Sequence, residues 1–181
     1  MNKKNKAIIV LLVIGALAFC TIRFIIIPHN NAKQEQYNAN QNDSLTHDIA
    51  NVLRYKSAYV GDSSNDANLF YHLPLSSVSM KFQINPDDCS LTVNYLDTVW
   101  NIGEGKVHRD LVYNSAAAMA LIDNLKQITY EFSGATFVFT REKIENSFGS
   151  DLSSFLDKET WNKKIQSRLN DSDFVSSFYK Q

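Results

Sequence analysis

Apolar and polar positions fall into three regimes along the chain. Residues 7–27 form an almost unbroken apolar run behind Asn2-Lys3-Lys4-Asn5-Lys6. A run of that length spans a bilayer core of roughly 30 Å at about 1.5 Å per residue. In lipid its backbone must satisfy its own hydrogen bonds, which predicts a helix. The next stretch, Asn30-Asn31-Ala32-Lys33-Gln34-Glu35-Gln36-Tyr37 onward to Asn42, holds almost nothing to bury and predicts a flexible tether over 28–43. From residue 44 the apolar positions recur with the periods of folded elements.

Leu45, Ile49, Val52 and Leu53 share one face of a short helix capped by Asp43 or Ser44. Gly61 marks a turn needing positive φ, and Asp62 or Ser63 suits the N-cap of a helix over 65–71 that Pro74 closes. Val78, Met80, Phe82 and Ile84 alternate with polar residues, the mark of a half-buried strand. Asn85-Pro86-Asp87-Asp88 turns the chain, and Leu91, Val93 and Tyr95 resume the alternation. Leu111, Ala118, Met119, Ile122 and Leu125 predict a helix over 111–125. Ile128, Tyr130 and Phe132, a turn at Ser133-Gly134-Ala135, then Phe137 and Phe139 predict a second hairpin. Thr140 caps a helix over 141–147 with Gly149 as its stop. Leu152, Phe155, Leu156, Trp161, Ile165 and Leu169 continue at helical spacing, and Phe174, Val175 and Phe178 form a last apolar face. This order predicts an α+β fold: an antiparallel sheet of two hairpins with helices packed on one face, preceded by one N-terminal transmembrane helix.

Charge gives the anchor a direction. Three lysines precede the apolar run, so residues 1–6 are expected as a cytoplasmic basic stub, 7–27 as a transmembrane signal-anchor, and 44–181 as an extracytoplasmic domain. Arg23 near the exit end snorkels to the headgroups. Two other ways of processing the segment exist. Leu17-Ala18-Phe19-Cys20 has the outline of a lipoprotein signal in which Cys20 is lipidated, but Phe19 is large and the residues after Cys20 are apolar. Ala16-Leu17-Ala18 resembles a cleavage site, but cutting there leaves a greasy mature end. The uncleaved anchor is the preferred reading.

Beyond Ile27, 14 basic residues face 19 acidic ones, which argues against nucleic acid as a partner. Cys20 and Cys89 cannot pair if Cys20 lies in a membrane, so no disulfide frame is expected, and Cys89 reads as a small strand residue.

Two groups of residues resemble a known family. Tyr59-Val60-Gly61-Asp62-Ser63 with Leu69 and Leu73-Pro74 is one. Tyr113-Asn114, Ala120-Leu121-Ile122-Asp123-Asn124, Ile128, Phe139-Thr140-Arg141-Glu142 and Phe148-Gly149 is the other. Together they resemble an extracytoplasmic domain of unknown function from membrane-anchored proteins of Gram-positive bacteria, over roughly residues 49–161. The resemblance implies export behind a membrane anchor and hints at sensing. It transfers no catalytic residue.

Nothing in the chain has the pattern of a catalytic, cofactor or metal motif. His47, His72 and His108 are scattered singly, and Ser44, His47 and Asp48 are neighbours in sequence, which does not make a triad. Asp87-Asp88 is a turn, and Trp100 and Trp161 read as core. Asp62 reads first as a helix cap. As a ligand or partner contact, the loop of Tyr59, Gly61, Asp62 and Asn65 is the site to test. The expected function is a membrane-anchored extracytoplasmic binding or sensor domain acting with another envelope protein. The alternatives are a cell-envelope hydrolase, or a structural subunit whose anchor pairs through Gly15, Ala16 and Ala18.

Overall fold

The computed structural model describes residues 2–149 and 151–180, and the chain divides into two units, Met1–Ala39 and Asn40–Gln181. Helix α1 (Lys3–Thr21) leads through a π-helical turn (Ile22–Ile26) into α2 (Ile27–Gln41). Pro28 explains the π turn. It has no N–H, and its ring crowds the carbonyl four residues back. The helix widens just ahead of it, where Ile27 N–H reaches back five residues to the Ile22 carbonyl. Residues 28–43, expected as a tether, are helical as far as Gln41. The stretch from His29 onward has no Gly, no further Pro and no β-branched residue to stop a helix. Leu11–Gln41 contains a window of mean hydropathy 2.4, long and apolar enough to cross a membrane, and none of it is buried. A helix of this kind at an N-terminus is the form of a membrane anchor or a signal sequence.

In the second unit, alternation builds the sheet. Strands β1 (Met80–Asn85), β2 (Ser90–Tyr95), β3 (Gln127–Phe132) and β4 (Ala135–Thr140) lie in the order β1-β2-β3-β4. Their registers set Phe82 opposite Val93, Val93 beside Tyr130 and Tyr130 opposite Phe137, so every apolar alternate falls on one face. The α+β class and both hairpins hold. The sheet, however, is mixed: β2 and β3 run parallel where a purely antiparallel sheet was expected. The cause is the connection. A helix of 18 residues carries the chain back from the end of β2 to the start of β3, which delivers the next strand in the same direction.

That helix, α5 (Glu104–Leu121), organises the core. Residues 110–121 are each at most 1 % exposed, so the helix is covered on all sides rather than along one stripe. Its small residues, Ala116, Ala117, Ala118 and Ala120, let neighbours approach closely. The predicted span of 111–125 is shifted. Gly103, at φ +105°, separates α5 from the single turn α4 (Val99–Ile102), which Thr98 caps. At the other end Ile122 turns extended and bridges Ser57, whose N–H donates to the Leu121 carbonyl at 2.8 Å.

Around α5 lie α3 (Ser63–Phe70), α6 (Arg141–Phe148), α7 (Lys158–Lys164) and α8 (Ser172–Ser177), with short 3-10 turns between them. The helix expected near 44–53 is instead two such turns, Ile49–Asn51 and Leu53–Tyr55. Polar bonds, described below, hold this strap on the core and replace the regular ladder. Trp161 is fully buried, as expected of a core residue, whereas Trp100 is 87 % exposed. Cys89 sits in the β1–β2 turn at φ +52° rather than in a strand.

Candidate functional site

The expected loop contacts come together at the start of α3. Asp62 accepts the Asn65 backbone N–H at 3.1 Å, and Asn65 Nδ2 donates to the Tyr55 carbonyl at 2.8 Å. Gly61, at φ +131°, donates its N–H to Asp66 Oδ2 at 2.8 Å, and Val60 N–H donates to Asn124 Oδ1 at 2.7 Å. A Cβ on Gly61 would stand 3.3 Å from Pro86 Cγ in the β1–β2 turn. These bonds fasten the loop to α3, to the Tyr55 turn and to Asn124 ahead of β3. Tyr59, 72 % exposed, is the member whose ring faces solvent. Cys20 is exposed on α1.

Sequence periodicity did not single out Asp66. It is fully buried on α3, its Oδ1 has no partner, and burial raises its carboxyl pKa. Asp110, equally buried on α5, bonds Lys106 and accepts the Ser44 N–H at 3.2 Å. Burial raises its pKa against the opposing pull of Lys106.

A second buried network pins the strap. Burial depresses His47 to about pKa 4, so its ring is neutral at pH 7. Its Nε2 lies 2.8 Å from the His72 carbonyl, which can only accept, so the proton sits on Nε2. Nδ1 is then an acceptor for the hydrogen bond donated by the Tyr113 hydroxyl at 2.7 Å, while that hydroxyl accepts Trp161 Nε1–H at 3.1 Å. Gln166 Nε2 donates to the Ser44 and His47 carbonyls at 2.8 and 2.9 Å, and Lys158 reaches Asp48 at 2.6 Å. His47 has no ring nitrogen left for chemistry. Among the described residues no three His, Cys, Asp or Glu side chains are grouped to hold a metal ion.

A concave surface lies elsewhere, along β4. A groove of about 740 Å³ runs between this strand, the α4–α5 corner and the C-terminal tail. Its floor is aromatic. The His108 ring stacks on Tyr179 at 4.0 Å and meets Phe137 edge-on at 5.5 Å, and Tyr179 also packs against Phe137 and Phe139. The Tyr179 hydroxyl donates to the His108 carbonyl at 2.6 Å, which fixes the tail in place. Burial lowers the His108 pKa, partly offset by Glu104. Trp100 stands at one end of the groove and Lys143 lies in its wall, where Nζ donates to the Phe178 carbonyl at 2.7 Å.

β4 is also an edge. Among the described residues, no backbone hydrogen bond beyond those of the β3 ladder reaches residues 135–139. Ala135-Thr136-Phe137-Val138-Phe139-Thr140 contains no charge and no proline, and every residue is in register with β3. Edges of soluble sheets are usually blunted by such residues or by bulges. The opposite edge, β1, carries exposed Lys81 and ends before Pro86. Alternation locates the strands, but which of them become edges depends on the crossover, so no local pattern marks this groove.

Residues 52–144 match the family described as a domain of unknown function, DUF4825. The match covers all four strands and α5, and it stops before the tail that supplies Phe178 and Tyr179 to the groove. No curated protein and no solved structure matches the chain.

Proposed function

The chain belongs to the DUF4825 family of domains of unknown function, and we propose that it is an extracytoplasmic interaction domain held at the cell membrane by residues 7–27. In this reading it acts with another envelope protein through β4 and the aromatic groove beside it. The observation that carries the reading is the open, uncharged edge of β4 next to a concave aromatic surface. A row of free N–H and C=O groups is a template for another extended backbone, and adjacent pockets for alternate side chains give selectivity. Three lysines before the apolar run favour the cytoplasmic N-terminus. Against the hydrolase alternative, His47, Asp66 and Asp110 are buried in contacts that hold loops to the core, away from the groove.

The test has two arms in intact cells. A membrane-impermeant maleimide should label wild type and fail to label Cys89→Ser. Labelling that needs lysed cells sinks the location. A photocrosslinker at Val138 should capture an envelope protein, while one at Lys81 on the far edge should not. Equal capture from both edges would remove the assignment to β4.

A further inference from the structure

We infer that the occupant of the β4 edge is β4 of a second copy of this chain, paired antiparallel about a two-fold axis normal to the sheet. The inference rests on the interaction reading above and names its partner.

Three observations select a second copy over other extended segments. First, the edge is self-compatible. With no charge in residues 135–140, antiparallel self-pairing sets no like charges opposite one another. Second, a two-fold normal to the sheet keeps each face on its own side. Thr136 and Val138 continue the exposed outer face, while the half-buried Phe137 of each copy lies on the aromatic side. The four-stranded sheet becomes one of eight strands with β1, the Lys81-bearing strand, at both ends.

Third, the charges at the two ends of the groove are complementary under that operation. Glu104 lies at the Ala135 end, because the α4–α5 corner follows β2 and the Asp97 carbonyl accepts Ser133 N–H at 3.0 Å. Its side chain is 72 % exposed. Lys143, one turn into α6, belongs to the Thr140 end. Antiparallel pairing brings the Glu104 end of each copy to the lysine end of the other. A parallel arrangement through the same edge would turn one copy over and leave the two grooves on opposite faces of the sheet. The isologous contact therefore satisfies both edges at once and closes the assembly at two.

Full-length protein in detergent is the material for the test, measured by light scattering and by crosslinking in native membranes. Wild type should have twice the chain mass. The pair Thr136→Lys with Val138→Lys lies on the exposed outer face and places lysine opposite lysine in either in-face register. It should weaken association more than tenfold while leaving the circular dichroism spectrum of the folded chain unchanged. Glu104→Lys should also weaken the dimer, and adding Lys143→Glu should restore it. A monomeric wild type overturns the inference, as does a dimer indifferent to the β4 lysines, which would point to pairing through the anchor. If the protein is monomeric yet the β4 lysines abolish a crosslink to an envelope protein, self-pairing falls and the interaction reading stands. If neither mass nor crosslinks respond, both fall.

Discussion

Arg141 Nη2 donates to the Ile122 carbonyl at 2.8 Å, closing the C-terminal end of the buried helix α5 from the far end of β4. The same guanidinium donates to the Met119 carbonyl at 2.9 Å, to the Leu125 carbonyl at 2.8 Å and to Glu145 at 3.0 Å. The last carbonyls of a helix have no partner within it, and a positive charge there also opposes the helix dipole. A residue of this kind, in a Thr-Arg-Glu sequence, has the look of an active-site arginine. Its donors are spent on backbone.

Arg141→Ala should therefore destabilise the fold by about 2–4 kcal/mol, since it leaves buried carbonyls without partners. Arg141→Lys should recover only part of this, because an ammonium lacks the planar fork. Denaturant melts of the three proteins decide the matter. If alanine costs nothing, Arg141 is no cap and its role lies elsewhere.

Acid should loosen the strap. His47 titrates near 6.5 unfolded and near 4 folded, so between those values the unfolded chain binds the extra proton. The stability tied to neutral His47 is fully present above about pH 6.5 and drains away as pH falls toward 4, by about 3 kcal/mol in all. A His47→Gln variant should be less stable at pH 7 and should lose this slope. An unchanged slope in the variant would assign the acid sensitivity to other groups.

Asp66 should show the opposite sign. Its folded pKa is raised by burial, so the folded chain holds the proton longer and this contribution weakens as pH rises above the ordinary carboxylate range. Asp66→Asn keeps an oxygen for Gly61 N–H without the buried charge. It should be neutral or stabilising at pH 7, whereas Asp66→Ala should cost about 1–3 kcal/mol. Thermal melts at pH 5 and pH 8 separate the two variants.

Asp62→Ala removes the α3 cap and should cost about 0.5–2 kcal/mol. Gly61→Ala should cost at least about 1 kcal/mol, because φ is +131° and the added methyl crowds Pro86. If crosslinking to an envelope partner survives in Asp62→Ala at a temperature where the variant is folded, the loop serves structure. Its loss from a folded variant would make the loop a contact.

Sequence periodicity reached some of these features and not others, for physical reasons. Period-2 alternation from Met80 to Ile84 and from Ile128 to Phe132 located the strands, because one face is buried and the other is not. It could not say that β2 and β3 lie side by side and parallel, which depends on α5 rather than on either strand. α5 itself has no polar stripe. Asp110, Asn114 and Ser115 are buried with the alanines, so no amphipathic face marks its start. The strap at 44–48 reads in sequence as part of a short helix near 44–53, because Leu45 and Ile49 fit a helical face. Its actual conformation is set by Gln166, Lys158 and Asp110, more than 60 residues away. The loop at Tyr59–Asn65 was recognisable from Gly61 and Asp62 alone, since positive φ and capping are local requirements.

The clasp between the strap and Gln166 also settles how the domain takes mechanical load. A tug on the chain at Asn42 does not peel a strand from the sheet, because no strand begins there. It meets Ser44 and His47, both held by Gln166, and Asp48, held by Lys158. These bonds tie the first residues of the domain to its last third, so a pull at Asn42 loads them before any strand. The tail that shapes the groove, from Leu169 to Tyr179, continues directly from that clasp, so force entering at one end of the domain would be felt at the other before the sheet between them gave way.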